Sequence, residues 1–180
     1  MTYMFASDIH GSAYYCRKML EAYEESKSQR LILLGDLLYH GPRNDLPKDY
    51  APKEVIAMLN SYRDQIYAVR GNCEAEVDQM VLEFPVMADY ALLELCGKTI
   101  YATHGHIFNQ DHLPPMKEGD TLVHGHTHVL RADRVGGINI LNPGSTSIPK
   151  EGNPPTYALL EDGVFRILTF EGEEIKRFEL

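Results

Sequence analysis

Leu31-Ile32-Leu33-Leu34-Gly35-Asp36 sets four consecutive apolar residues in front of a glycine and a carboxylate. A continuous apolar run stopped by glycine suits a parallel strand buried on both faces. An acid at the end of such a strand stands where α/β proteins present side chains to a ligand. Upstream, residues 3–7 form a second short apolar run, followed by Asp8-Ile9-His10 and then Gly11-Ser12. Ser12 is suited to cap a helix running from Ala13 to about Lys27, with Tyr15, Met19, Ala22 and Tyr23 at helical spacing. The opening therefore reads as βαβ, with both strands ending at acidic residues.

Beyond this unit, residues 40–52 are rich in loop formers and long for a plain connection, which points to a functional loop. A helix is expected over 53–62, a strand over 66–69 ended by Gly71-Asn72, and a helix over 75–82. After Phe84-Pro85 the pattern changes. Residues 86–95 alternate, Gly97-Lys98 makes a turn and 99–103 form a partner strand, which is a hairpin signature. Short strands are expected at 121–124, 138–141, 157–160, 164–170 and 175–178, with hairpin turns at 161–163 and 171–173. No repeat, low-complexity tract or linker divides the chain, so residues 1–180 read as one α/β domain.

Hydrophobic content of 44% and charged content of 24% are those of a globular protein. The net charge of −9 argues against general nucleic-acid binding, which carries a basic footprint. It leaves room for a small phosphorylated substrate, because bound cations reverse the local field. Cys16, Cys73 and Cys96 are odd in number and lack paired spacing, as expected in a reducing compartment. The N-terminus enters a strand directly, and no apolar run approaches membrane-spanning length. The expectation is a cytoplasmic protein without a membrane partner, compatible with a symmetric homo-oligomer such as a dimer.

The chemistry lies in five ordered clusters: Asp8-Ile9-His10, Gly35-Asp36, Gly71-Asn72-Cys73-Glu74, Thr103-His104-Gly105-His106 and Gly125-His126-Thr127-His128. Each has a plain alternative: a helix cap, a Gly-Asp turn, a Gly-Asn turn, a polar His-rich loop. Five in order are harder to dismiss. His104, His106, His124, His126 and His128 crowd one short region, and each buried imidazole needs a partner. Asp, Asn and neutral His form an O/N ligand set suited to Mn, Fe, Zn, Ni or Co. They are too many for one tetrahedral site, whereas two ions sharing an aspartate would use them all. Two ions about 3.5–4 Å apart is an arrangement used against phosphate esters. Asn142-Pro143-Gly144-Ser145 reads as a structural turn, and the 11 tyrosines as packing.

The ordered set Asp-x-His, Gly-Asp, Gly-Asn, His and Gly-His-x-His resembles the calcineurin-like metallophosphoesterase superfamily over essentially the whole chain. His40-Gly41-Pro42-Arg43-Asn44, Val69-Arg70-Gly71-Asn72-Cys73 and Ile148-Pro149-Lys150-Glu151-Gly152-Asn153-Pro154 are similar to the compact bacterial phosphodiesterases of the YfcE type. The resemblance implies a two-sheet β-sandwich flanked by helices, with ligands on loops at the strand ends. It implies one ion held by Asp8, His10, Asp36 and His128, and a second by Asp36, Asn72, His104 and His126. Asp36 bridges them, and a shared hydroxide attacks a small phosphodiester. Mn2+ is the first expectation for both ions, with Zn2+, Fe2+, Ni2+ and Co2+ competent at the same ligands. His106 falls outside this pattern and is read as supporting a ligand.

Many members place histidine after the Gly-Asn pair. Here Cys73 stands there, as in the YfcE-type group, either as a weak proton donor or as filling beside the site. Arg43 or Arg70 could steady a phosphoryl oxygen, or Arg43 could belong to a surface ion pair. The rival readings are a phosphomonoesterase or nucleotide pyrophosphohydrolase on the same site, a nuclease, and a non-catalytic scaffold of the same fold.

Overall fold

The computed structural model describes residues 1–180. Strands β1 (Thr2–Ala6), β2 (Leu31–Leu33) and β3 (Ile66–Ala68) pair in parallel, with Phe5 opposite Ile32 and Ile32 opposite Tyr67. Helix α1 (Ala13–Ser26) makes the first crossover, and Ser12 caps it by accepting the Tyr15 N–H at 3.2 Å. Helix α2 (Pro52–Asn60) makes the second, and α3 (Glu76–Val81) follows β3. Strands β4 (Tyr90–Leu95) and β5 (Lys98–Thr103) form the expected hairpin, followed by β6 (Thr121–Val123), β7 (Arg131–Val135) and β8 (Ile138–Asn142). Strands β9 (Thr156–Glu161), β10 (Val164–Thr169) and β11 (Glu174–Glu179) close the chain as an antiparallel meander. The first sheet has the order β11-β10-β9-β1-β2-β3 and the second β4-β5-β6-β8-β7.

Side-chain alternation explains the layering. Phe5, Ile32, Leu34, Ala158 and Leu160 of the first sheet meet Ile100, Ala102, Val123 and Leu141 of the second in one buried cluster. Their sequence neighbours Met4, Leu31, Leu33 and Leu159 turn the other way and pack under Cys16, Met19, Val55 and Leu59 of the helices. Both faces of β1 and β2 are therefore covered, which is why their sequences are apolar runs rather than alternations. The expected two-sheet sandwich with flanking helices is present. Outside the second sheet, Tyr101 and Met116 rather than a helix cover Leu122, Ile138 and Ile140. No helix is long and apolar enough to cross a membrane.

Two readings change. Strand β7 has no counterpart in the hydrophobic pattern, because it is an edge strand whose Asp133, Arg134 and Val135 are exposed. Charge on an edge is how sheets avoid pairing with other chains, and it erases the alternation. The Gly136-Gly137 turn was the readable signal. Strand β4 begins at Tyr90 rather than Val86, because the backbone before it is spent elsewhere. The Gln79 side chain accepts the Val86 N–H, and the Ala88 carbonyl accepts from the Arg70 N–H.

Phe5 and Phe165 pack with ring centroids 5.7 Å apart, and both are fully buried between the sheets. Phe165→Ala should cost about 3–5 kcal/mol, as large-to-small core changes do. Urea unfolding measures it; a loss below about 1 kcal/mol would mean that the sheets close over the space.

Candidate metal centre

The strand-end loops that carry the candidate ligands are tied to one another by backbone bonds. Beyond the β1–β2 ladder, Asp8 N–H donates to Gly35 O, His10 N–H to Asp36 O and Gly11 N–H to Leu37 O. In the second sheet, Gly125 N–H donates to His104 O at 2.8 Å. The two sets meet where His126 N–H donates to Asp8 Oδ2 at 3.1 Å. Asp8, His10, Asp36, His126 and His128 all adopt left-handed backbone, with φ between 49° and 67°. Such conformations are costly for side-chain-bearing residues and cluster at functional sites. Gly71 has a different constraint: a Cβ there would collide with the Asp36 carboxylate.

Three imidazoles are oriented by carbonyl oxygens, which can only accept. His10 Nδ1 donates to Tyr39 O at 2.7 Å, His104 Nδ1 to Leu34 O at 2.6 Å and His128 Nδ1 to Ile148 O at 2.8 Å. Each Nε2 is thereby turned inward as a ligand atom. His10 Nε2 and His128 Nε2 are 3.3 Å apart, and Asp8 Oδ1 is 3.2 Å from the latter. On the other side, His104 Nε2 lies 3.1 Å from Asn72 Oδ1 and 3.2 Å from His126 Nδ1. Asp36 stands between the groups: Oδ2 is 3.6 Å from His10 Nε2 and 3.4 Å from His104 Nε2, while Oδ1 accepts the Cys73 N–H. All seven candidate ligands are thus brought together, with Asp36 between the His10 and His104 imidazoles.

Asp8 Oδ1 tests whether these residues fit cations. It is buried, makes no well-aligned hydrogen bond, and is faced by His10 Nε2 at 3.6 Å and His128 Nε2 at 3.2 Å. A buried carboxylate oxygen surrounded by imidazole nitrogens is an environment that a divalent ion satisfies. Asp8, His10 and His128, and likewise Asp8, Asp36 and His104, bring their ligand atoms within 4.8 Å of one another. The donor set and the geometry both fit divalent metal.

Burial opposes charge on Asp8, but the adjoining His10 and His128 outweigh it and hold the carboxyl well below its usual range. Burial likewise opposes charge on His104, yet Asp36 and Asp8 raise it to about 9. His10 is raised in the same way by Asp8. Burial, then the charge of Asp36, pushes the Cys73 thiol up, so it is a weaker acid than an ordinary cysteine.

No sequence motif assigns a role to Glu74. Its buried carboxylate accepts the N–H groups of Asp36 at 2.8 Å and Leu37 at 2.7 Å, and also that of Gly71. It therefore joins the two loops that carry Asp36 and Asn72. The Asn142–Ser145 turn is structural, as read: Asn142 Nδ2 donates to Gly125 O, and Ser145 and Ser147 donate to Asp8 O.

A cavity of about 430 Å³ opens over His10, Asp36, Asn72 and His128. Cys73 and Arg43 line it, as do Asn44 and Lys150, to which no sequence motif assigns a role. Arg70 lies outside it, with Nε 3.6 Å from Asp89. His106 packs against His104 with ring centroids 5.4 Å apart, and neither ring nitrogen has a partner.

The raised histidines give metal loading a sign. Below about pH 9 His104 carries a proton that a cation must displace, so binding releases protons and affinity falls as pH falls. Calorimetry of Mn2+ binding in buffers of different ionisation enthalpy should read proton release at pH 7. Affinity unchanged between pH 9 and pH 6 would mean that His104 is not displaced.

The profile of the calcineurin-like phosphoesterase superfamily domain matches residues 1–162. The chain is 46% identical over 175 residues to phosphodiesterase YfcE of Escherichia coli (strain K12), covering 97% of this chain and 95% of that protein. It is 25% identical over 167 residues to a probable metallophosphoesterase, YsnB, of Bacillus subtilis (strain 168), covering 89% and 83%. The structure of Yfce, described as a phosphoesterase from E. coli, superposes with a TM-score of 0.96 at 45% identity over 98% of each chain. Vps29 of Entamoeba histolytica, solved with zinc, shares the fold at a TM-score of 0.62 and 20% identity over 99% of each chain. On its sequence, its sandwich and the order of its strand-end clusters, the chain belongs to the calcineurin-like phosphoesterase superfamily.

Proposed function

We propose that this metal-dependent phosphoester hydrolase cleaves small phosphodiesters at a dinuclear site. One ion is held by Asp8, His10, Asp36 and His128, and the other by Asp36, Asn72, His104 and His126. The observation that carries the reading is Asp36 Oδ2, 3.6 Å from one imidazole group and 3.4 Å from the other. When bound, two divalent cations polarise the phosphoryl oxygens and lower the pKa of the attacking water toward neutrality. The chain's own residues supply the rest. Carbonyl bonds keep the imidazoles aimed inward, Glu74 fixes the loop bearing Asp36, and Arg43 offers a planar fork to a non-bridging oxygen. Mn2+ is the first candidate, because carboxylate and amide oxygens suit it, and Zn2+, Fe2+, Ni2+ and Co2+ compete through the imidazoles. The net charge of −9 favours a small diester over a nucleic acid. A scaffold role is disfavoured, because every ligand position is filled by a competent residue. The direct test is hydrolysis of a chromogenic diester and its matching monoester by protein stripped of metal and reloaded with each cation.

Asp36→Asn keeps the shape and removes the shared charge. The expected result is a folded protein that loses most activity and binds fewer than two Mn2+ per chain, read by metal analysis. Full turnover in this variant at limiting metal would rule out the bridging role.

Cys73 sets the choice between diester and monoester. Its thiol is pushed up by burial and Asp36, so proton donation to a departing alkoxide is poor. Rates should depend steeply on leaving-group pKa, with aryl diesters much faster than alkyl ones. Cys73→His should selectively accelerate poor leaving groups, monoesters included, by up to about 10²–10⁴-fold where the ring is well placed. Coincident plots of rate against leaving-group pKa for wild type and variant would show that position 73 does not control proton donation.

A further inference from the structure

Arg43 and Lys150 come from separate loops, yet line the same cavity over the candidate metal ligands. Both are exposed, and neither enters an ion pair or a side-chain hydrogen bond within the protein. Seven of the 17 Lys and Arg residues have an acidic partner, so what sets Arg43 and Lys150 apart is their convergence on one cavity rather than the lack of a partner. In a chain of net charge −9, two unpaired cations converging on one cavity run against the composition. The sole carboxylate lining it is Asp36, whose oxygens are already engaged by the Cys73 N–H and the facing imidazoles.

A neighbouring cavity of about 480 Å³ lies across His126 and Thr127, which line both. Its charge is the reverse. Asp111 and Glu151 line it, and its one cation, Arg131, is bound to Asp133 at 2.8 Å. An anion on the substrate is therefore attracted to the first cavity and repelled from the second.

The charge count at the first cavity exceeds what the reaction needs. A diester phosphoryl carries one negative charge, and two divalent cations with Arg43 already answer it. Lys150 is left over, and a cavity of about 430 Å³ is larger than a phosphoryl group alone fills. Resting on the phosphodiesterase reading, we propose that the substrate is a diester whose alcohol arm carries a second anionic group, a carboxylate or phosphate, held by Lys150 with Arg43 beside it. Lys150 is then a specificity residue, and neutral-armed diesters are poor mimics of the natural substrate.

The test compares p-nitrophenyl ethyl phosphate with p-nitrophenyl 2-carboxyethyl phosphate on Mn-loaded protein. Wild type should favour the carboxyethyl ester in kcat/KM by about tenfold, the scale of one charge-assisted hydrogen bond at an open site. Lys150→Gln should bring that ratio toward one, and Lys150→Arg should keep it. Calorimetry with ethyl methylphosphonate and 2-carboxyethyl methylphosphonate, whose alkoxides are poor leaving groups, reads binding and should show the same preference and the same loss. Equal treatment of each pair by wild type, or a preference that survives Lys150→Gln, overturns the anion site. Hydrolysis of neither ester together with a Lys150-dependent phosphonate preference would sink the diesterase reading while leaving the anion site standing.

Discussion

At the strand ends, metal-ligand atoms are crowded against one another. The nitrogens of His10, His104, His126 and His128 and the oxygens of Asp8, Asp36 and Asn72 stand 3.1–3.6 Å apart. Four imidazoles, an amide and two carboxylates do not gather this closely unaided, and an outside force assembles them. The force comes from the fold. Carbonyl oxygens grip the far side of three imidazoles, Glu74 joins two loops through their N–H groups, and five ligands sit in left-handed backbone. The crowding of ligand atoms around two buried carboxylates is the counterpart of the site's affinity for positive charge.

The long loop after β2 follows the same logic. Ser12 Oγ donates to Lys48 O, and Ala51 N–H donates to Gly11 O, so residues 41–51 are anchored at their far end against the loop bearing Asp8 and His10. That anchoring swings Gly41 to Asn44 over the cavity and explains why Arg43 reaches it. The loop's length is a structural requirement of covering the site rather than slack between two elements.

What the sequence revealed and what it hid divide along physical lines. Strands β1 and β2 were legible because both of their faces are buried, and the ligands because most follow an apolar run. Strand β7 was hidden because a charged edge has no hydrophobic period. Glu74 was hidden because its partners are backbone N–H groups of Asp36, Leu37 and Gly71, and nothing in a side-chain pattern marks which backbone it will meet. Lys150 and Asn44 belong to stretches that resemble the YfcE-type group, yet their convergence depends on how two loops close in space. Arg70 illustrates the opposite case: adjacency to Gly71-Asn72 suggested reach toward the substrate, and the fold turns it toward Asp89.

Asp8, Asp36 and Asn72 descend from the first sheet, whereas His104, His126 and His128 descend from the second. Any cation bound among them is shared between the two halves of the sandwich, as a rivet is shared by two plates. The apolar layer between the sheets is non-directional and tolerates sliding; coordination bonds do not. Metal occupancy and the register of one sheet against the other are therefore a single linked equilibrium, with binding free energy appearing as cohesion of the fold. The end of the sandwich that does the chemistry is the end its cations lock, while between the sheets Phe5, Phe165 and their apolar neighbours supply the cohesion.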